Sequence, residues 1–130
     1  LGNQFFSDLT DTLPDEGRAM SEHDQQVAVV DWCDAHGIPV FAIPNGGLRS
    51  KRTAAMLKAE GVKAGVPDLF IPVPKGEFAG LFVEMKDVKG RPPRKSQMEW
   101  LELLNAQGYA AYWAKGAEQA IKLIQQYVSL

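Results

Sequence analysis

The sequence predicts an α/β domain: a mixed central sheet of about four strands flanked by helices, in the order α-β-α-β-β-α-β-α. Three observations lead there. Segments with apolar residues at helical spacing alternate with short apolar runs of strand length. Three of the helical segments stop at a glycine, at Gly37, Gly61 and Gly108. Two of the apolar runs are separated only by a loop containing Pro-Lys-Gly-Glu, a hairpin-compatible spacing. Strands interleaved with helices imply a sheet covered on both faces.

The elements follow in order. Residues 1–20 hold Asp8, Asp11, Asp15 and Glu16 with little periodicity and read as a loosely structured arm, held by Phe5 and Phe6; residues 21–130 form the domain. Ser21 is a candidate N-cap, with Glu22 and Asp24 in a first turn that favours negative charge. The helix it opens runs to about residue 36, with Val29, Val30, Trp32 and Cys33 as its buried stripe. Residues 38–43, IPVFAI, read as a short buried strand, and PNGG at 44–47 as a turn. A second helix spans 50–60. Strands follow at 68–73 and 81–86, then a basic loop, VKGRPP, at 88–93. A third helix covers 94–107, YAAYWA at 109–114 is a strand, and the last helix aligns Ala117, Ala120, Ile121, Ile124 and Val128.

Bulk properties narrow the function classes. The chain of 130 residues is 45% hydrophobic and has one cysteine, Cys33, which excludes an internal disulfide and fits a reducing cytoplasm. No apolar run reaches the roughly 20 residues that span a bilayer, and the N-terminus lacks a signal-peptide pattern. The net charge is −2, but residues 48–95 carry eleven Lys and Arg against five Asp and Glu, a local +6. A basic middle in an acidic chain points to a localised surface for a polyanion.

One constellation carries chemistry. Strand residues alternate in direction, so Glu84 and Lys86 share a side, while Leu81, Val83 and Met85 face the other. Asp68 begins the neighbouring strand. If the two strands pair through the loop between them, Asp68 approaches Glu84. Two convergent carboxylates beside an ammonium suit a hard divalent cation. A phosphodiester is the substrate that complements both the ion and the basic loop.

These residues resemble a family. Pro67-Asp68 followed by Glu84-Met85-Lys86 resembles the PD-(D/E)XK nuclease superfamily. IPNGG…R, GVPDL, FVEMK and Q…W…L…G resemble its VRR-NUC branch, the virus-type replication-repair nucleases, over about residues 21–128. The resemblance implies a restriction-endonuclease-like fold with an αβββαβ core. It implies Asp68 and Glu84 as ligands of Mg²⁺ (or Mn²⁺), with the Met85 carbonyl as an additional one. Lys86 would orient the attacking water or stabilise charge on the phosphate. The glutamate that the family places on its first helix is best matched by Glu22, and a further motif position by Gln97. Helical spacing is consistent with both: Gln97, Leu101 and Leu104 share a stripe, as do Glu22, Gln26, Val29 and Cys33.

Contact to DNA is expected from Arg49, Lys51, Arg52 and Lys58 on one side and from Lys89, Arg91, Arg94 and Lys95 on the other. Short members of the branch resemble Holliday junction resolvases that act as homodimers. The expectation is therefore a metal-dependent, structure-selective DNA endonuclease, working as a homodimer on branched DNA. Two alternatives stay open: a flap or nicking nuclease of phage replication-repair, and a non-catalytic nucleic-acid-binding module of the same fold.

Overall fold

The computed structural model describes residues 20–45 and 50–130. The arm expected at residues 1–20, with its acidic residues and Phe5 and Phe6, lies outside these residues apart from Met20, as do Gly46, Gly47 and Arg49. The elements are α1 (Glu22–Ala35), β1 (Phe41–Ala42), α2 (Lys51–Ala59), β2 (Leu69–Ile71), β3 (Leu81–Lys86), α3 (Lys95–Ala106), β4 (Ala110–Lys115) and α4 (Gly116–Val128). This is the expected order.

The strands form one sheet in chain order, β1-β2-β3-β4. β1 pairs antiparallel with β2, and β2 with β3. β4 then runs parallel to β3, with Glu84 opposite Trp113 and Lys86 opposite Lys115. A tight loop can serve an antiparallel pair, whereas a parallel pair needs a crossover, here α3. β3 is thus an interior strand, paired on both sides.

Both faces of the sheet are covered. Leu81, Val83 and Met85 are fully buried with Leu69, Ile71 and Ala114 under α1 and α4, which contribute Val29, Cys33, Ala120 and Ile124. The opposite face carries a second cluster, in which Leu101 and Leu104 of α3 close over Ala111, flanked by Phe82, Trp100, Tyr109 and Trp113. The alternation expected along β3 therefore holds: its odd residues build the main core, and Phe82, Glu84 and Lys86 belong to the α3 side. Tyr127 ties the last helix to the end of β2 through a 2.6 Å hydrogen bond from its hydroxyl to the Val73 carbonyl.

Local chemistry sets the helix ends. Ser21 Oγ accepts from the Asp24 N–H at 3.1 Å, and Ser50 Oγ accepts from the Thr53 N–H at 3.1 Å. Each satisfies a backbone donor that the helix itself leaves unpaired. Gly37, Gly61 and Gly108 follow α1, α2 and α3 at φ of 66°, 107° and 94°, the left-handed conformation that ends a helix.

Three details differ from the sequence reading. The run 38–43 is not a buried strand: only Phe41–Ala42 pair, and both are exposed. β1 is the sheet edge, and the prolines at 39 and 44 cannot donate to a ladder. The polar residue on the buried stripe of α1 is Gln25, with Val29 and Cys33, and not Gln26; Val30 and Trp32 are half-buried against the core. A stripe at i, i+4, i+8 describes the face better than one traced back from Glu22. Finally, α2 buries none of its residues.

Candidate active site

The site forms where β2 begins and β3 ends, beneath the start of α3. Because Leu69 pairs with Val83, Asp68 falls level with Glu84 on the adjacent strand. Asp68 Oδ2 accepts a 2.7 Å hydrogen bond from the Met85 N–H, so backbone geometry fixes its carboxylate against β3. Asp68 and Glu84 also share a side-chain hydrogen bond.

Glu84 is only 3% exposed. Burial, followed by the charge of Asp68 and their hydrogen bond, pushes its pKa from 4.5 up to about 8; the Lys86 ammonium pulls it back, and Glu22 adds a smaller upward push. Lys86 Nζ lies 3.7 Å from Glu84 Oε2. The remaining neighbour of that oxygen is Gln97, whose Nε2 donates at 3.4 Å.

Gln97 does two things at once. Its Oε1 accepts from the Arg94 N–H at 2.7 Å, which satisfies a free donor at the start of α3, while its amide nitrogen reaches Glu84. The two bonds orient the amide: oxygen toward the backbone, nitrogen toward the carboxylate. Helix capping and support of the acidic pair are therefore one arrangement.

The carboxylates open into a cleft of about 580 Å³, whose wall includes Glu22, Asn45, Asp68, Glu84, Lys86, Arg91, Arg94 and Gln97. Glu22 reaches this wall from the first turn of α1. Arg91 of the basic loop and Arg94 at the N-cap of α3 join it, while Lys89 and Lys95 stay exposed outside, Lys95 in an i, i+4 ion pair with Glu99 at 3.9 Å. Lys51, Arg52 and Lys58 are exposed on α2 and are not part of the cleft wall. Arg49 lies outside the described residues.

Three contributors escaped the sequence reading. Asn45 is on the wall, with Nδ2 donating to the Val66 carbonyl at 3.1 Å. Its signal was the PNGG stretch, a turn by its glycines and part of the pattern that carries the resemblance. Gly65 is buried at φ 91°, and a Cβ there would stand 2.8 Å from the Ser96 carbonyl carbon and oxygen. The absence of a side chain lets the segment before Asp68 press on the first turn of α3, which holds Gln97. Gln25 Oε1 accepts from the Ala117 N–H at 2.7 Å, tying the start of α1 to the start of α4.

The VRR-NUC domain model matches residues 20–118, the span that contains every residue of this cleft. The chain belongs to the VRR-NUC family. A solved structure described as a VRR_NUC domain protein is 32% identical over 87% of this chain and 92% of its own, with a TM-score of 0.76. A second, described as a VRR_NUC domain, is 25% identical over 82% of this chain and 96% of its own, with a TM-score of 0.57. No curated protein matches significantly. A VRR-NUC domain is a nuclease-type fold, and a nuclease domain acts on nucleic acid. No helix among the described residues is long and apolar enough to cross a membrane.

The donors suit a hard cation. Two carboxylates oppose each other, and burial, followed by their mutual repulsion, holds Glu84 above its ordinary range. A divalent ion would relieve it, and Mg²⁺ takes one or two carboxylates while filling its other positions with water and phosphate oxygens. Among the described residues no three His, Cys, Asp or Glu side chains come together as a closed metal cage.

Proposed function

We propose that this VRR-NUC domain is a Mg²⁺- or Mn²⁺-dependent, structure-selective DNA endonuclease that hydrolyses phosphodiester bonds and works as a homodimer on branched DNA such as a four-way junction. One observation carries the reading. Asp68 and Glu84 share a hydrogen bond at the floor of a cleft, with the Lys86 ammonium 3.7 Å from Glu84 and Arg91 and Arg94 on its walls. Acidic groups alone would repel DNA; acidic groups framed by cations suit a phosphate delivered together with a metal ion.

Asp68 and Glu84, with the Met85 carbonyl, would hold the ion. Bound there, it would lower the pKa of water toward neutrality and offset charge on the non-bridging phosphate oxygens. The chain's own side chains do the rest. Arg91 and Arg94 bind the phosphates that flank the scissile one. Such contacts position a strand without reading its sequence. Lys86 orients the attacking water and stabilises charge as it builds on the phosphate. Gln97 and the Met85 N–H keep the two carboxylates in place while that charge develops. Attack in line breaks the bond between phosphorus and the 3′ oxygen, which leaves and takes a proton from solvent.

The two-fold symmetry of a junction matches a dimer that makes one cut per subunit. Labelled duplex, single strand, 5′ flap and four-way junction, each incubated with Mg²⁺ and with EDTA, test the proposal. Paired symmetric nicks on the junction with Mg²⁺ alone are the expected result. Cleavage of the flap in preference to the junction would replace the junction assignment. Binding without any Mg²⁺-dependent cut would make the domain a binding module.

A further inference from the structure

Rings line up across the first three strands. Phe41 pairs with Phe70 in the ladder, and Phe70 with Phe82. Their ring centroids are 5.4 and 4.3 Å apart. Tyr109, just ahead of β4, ends the row at 5.2 Å from Phe82. Phe70 stands two positions from Asp68 and Phe82 two from Glu84, so the rings stand on the same sheet face as the acidic pair, about 7 Å along the strands.

α3 covers only part of this face. Leu101 and Leu104 close over Ala111 and the flank of Phe82, at the β3–β4 side. The row runs out from under the helix to the sheet edge, where Phe41 is 52% exposed. A strip of rings with no charged side chain therefore adjoins a cleft whose wall holds Lys86, Arg91 and Arg94. A single nucleic-acid strand has the same division, charged phosphates along one side and flat apolar bases along the other. Bases within a duplex have their faces covered by their neighbours, whereas unpaired bases stack readily on aromatic side chains.

We propose that the Phe41–Phe70–Phe82–Tyr109 row is a stacking site for unpaired nucleobases, with Phe41 as its exposed platform. The site takes the nucleotide next to the phosphate held in the cleft, and so selects DNA whose bases are splayed at a branch or flap. It rests on the nuclease reading only in placing a phosphate at the acidic pair.

Phe41 is exposed, so its replacement leaves the core intact. The experiment measures the Kd of the parent, Phe41→Ala, Phe41→Leu and Phe41→Trp in EDTA, for a 5′-flap DNA and for a blunt duplex, by fluorescence anisotropy. Sedimentation of each variant and 2-aminopurine fluorescence in the flap accompany it. Ala and Leu are expected to weaken flap binding about tenfold and leave duplex binding unchanged. Trp restores the parent value, and 2-aminopurine is quenched only by parent and Trp. Equal losses on both DNAs, or none, overturn the stacking site. So does a fall in oligomeric state with Ala that Leu rescues, because the row is then a contact between two copies of the chain. Mg²⁺-dependent cleavage by the parent, of the four-way junction as well as the flap, is scored separately. If it is absent while the ring-dependent preference persists, the enzyme reading fails and the stacking site stands.

Discussion

Met85 donates its backbone N–H to Asp68 Oδ2 at 2.7 Å, so the strand that carries Glu84 also aims the other carboxylate of the pair. One backbone donor links the two halves of the motif. This separates two roles of Asp68 that mutation can resolve. Asp68→Ala removes both the charge and the acceptor, leaving a donor to find water. Asp68→Asn keeps an acceptor and loses the charge. Cleavage should fall by about 100-fold or more in both, while only Ala should lower stability, by about 1 kcal/mol. DNA binding in EDTA should survive in both. Cleavage by either variant near the parent rate would remove Asp68 from the chemistry.

The raised pKa of Glu84 makes metal-free stability depend on pH. Its folded-state value is about 8 against 4.5 in an unconstrained chain. Between those values the folded state binds the extra proton, so its stability should fall as pH rises through that window. Each unit of difference is worth about 1.4 kcal/mol. Glu84→Gln cannot ionise, and should melt several degrees higher than the parent at pH 8 in EDTA, with the two curves converging near pH 5. Mg²⁺ should reverse the order, stabilising the parent and leaving the variant unchanged. Parallel melting curves across this range would show that Glu84 ionises normally.

How much of this was legible from sequence follows from what each residue answers to. Ser21 and the glycines that end α1, α2 and α3 act within a turn of chain, and local chemistry announces them. Asp68 and Glu84 were legible because a hairpin's register follows from its pattern. The burial of 38–43 was misread since an apolar hexapeptide does not say whether it lies at the centre or the edge of a sheet, and Phe41 lies at the edge. Gln25 and Gln26 differ by one position on a helix, and only the docking of α4 decides which is inside. The row from Phe41 to Tyr109 joins four separate segments of chain, so no local spacing reveals it.

Gly65 tests whether the packing beneath the cleft governs activity. Both Gly65 and Gly61 have positive φ, 91° and 107°, so alanine carries a similar backbone cost at each, on the order of 1 kcal/mol. Only at position 65 would the new Cβ meet backbone, 2.8 Å from the Ser96 carbonyl; nothing lies within 4 Å at position 61. Gly65→Ala must push the first turn of α3 away and with it Gln97. Cleavage should drop about tenfold or more, since misplacement of a supporting group by about 1 Å is already costly. Gly61→Ala should lose thermal stability and keep its rate. Equal rates in the two variants would separate the seating of α3 from catalysis.

The cations should divide by position, and salt dependence reads the division. Arg91 and Arg94 stand on the cleft wall, whereas Lys95 projects into solvent with 93% of its side chain exposed, beside Glu99. A cation that neutralises a phosphate releases a counterion, so losing it flattens the slope of log K against log salt by about 0.9 on duplex DNA. Arg91→Gln and Arg94→Gln should each reduce the slope by about that amount; Lys95→Gln should change it little. The Arg94 substitution is clean in one respect, because its bond to Gln97 uses the backbone N–H and survives the change of side chain. Lys51, Arg52 and Lys58 offer the harder test. They sit on a helix that buries nothing, so if α2 touches DNA their loss must also flatten the slope without altering melting. A slope that responds to these three and ignores Arg91 and Arg94 would move the DNA path off the cleft and onto α2.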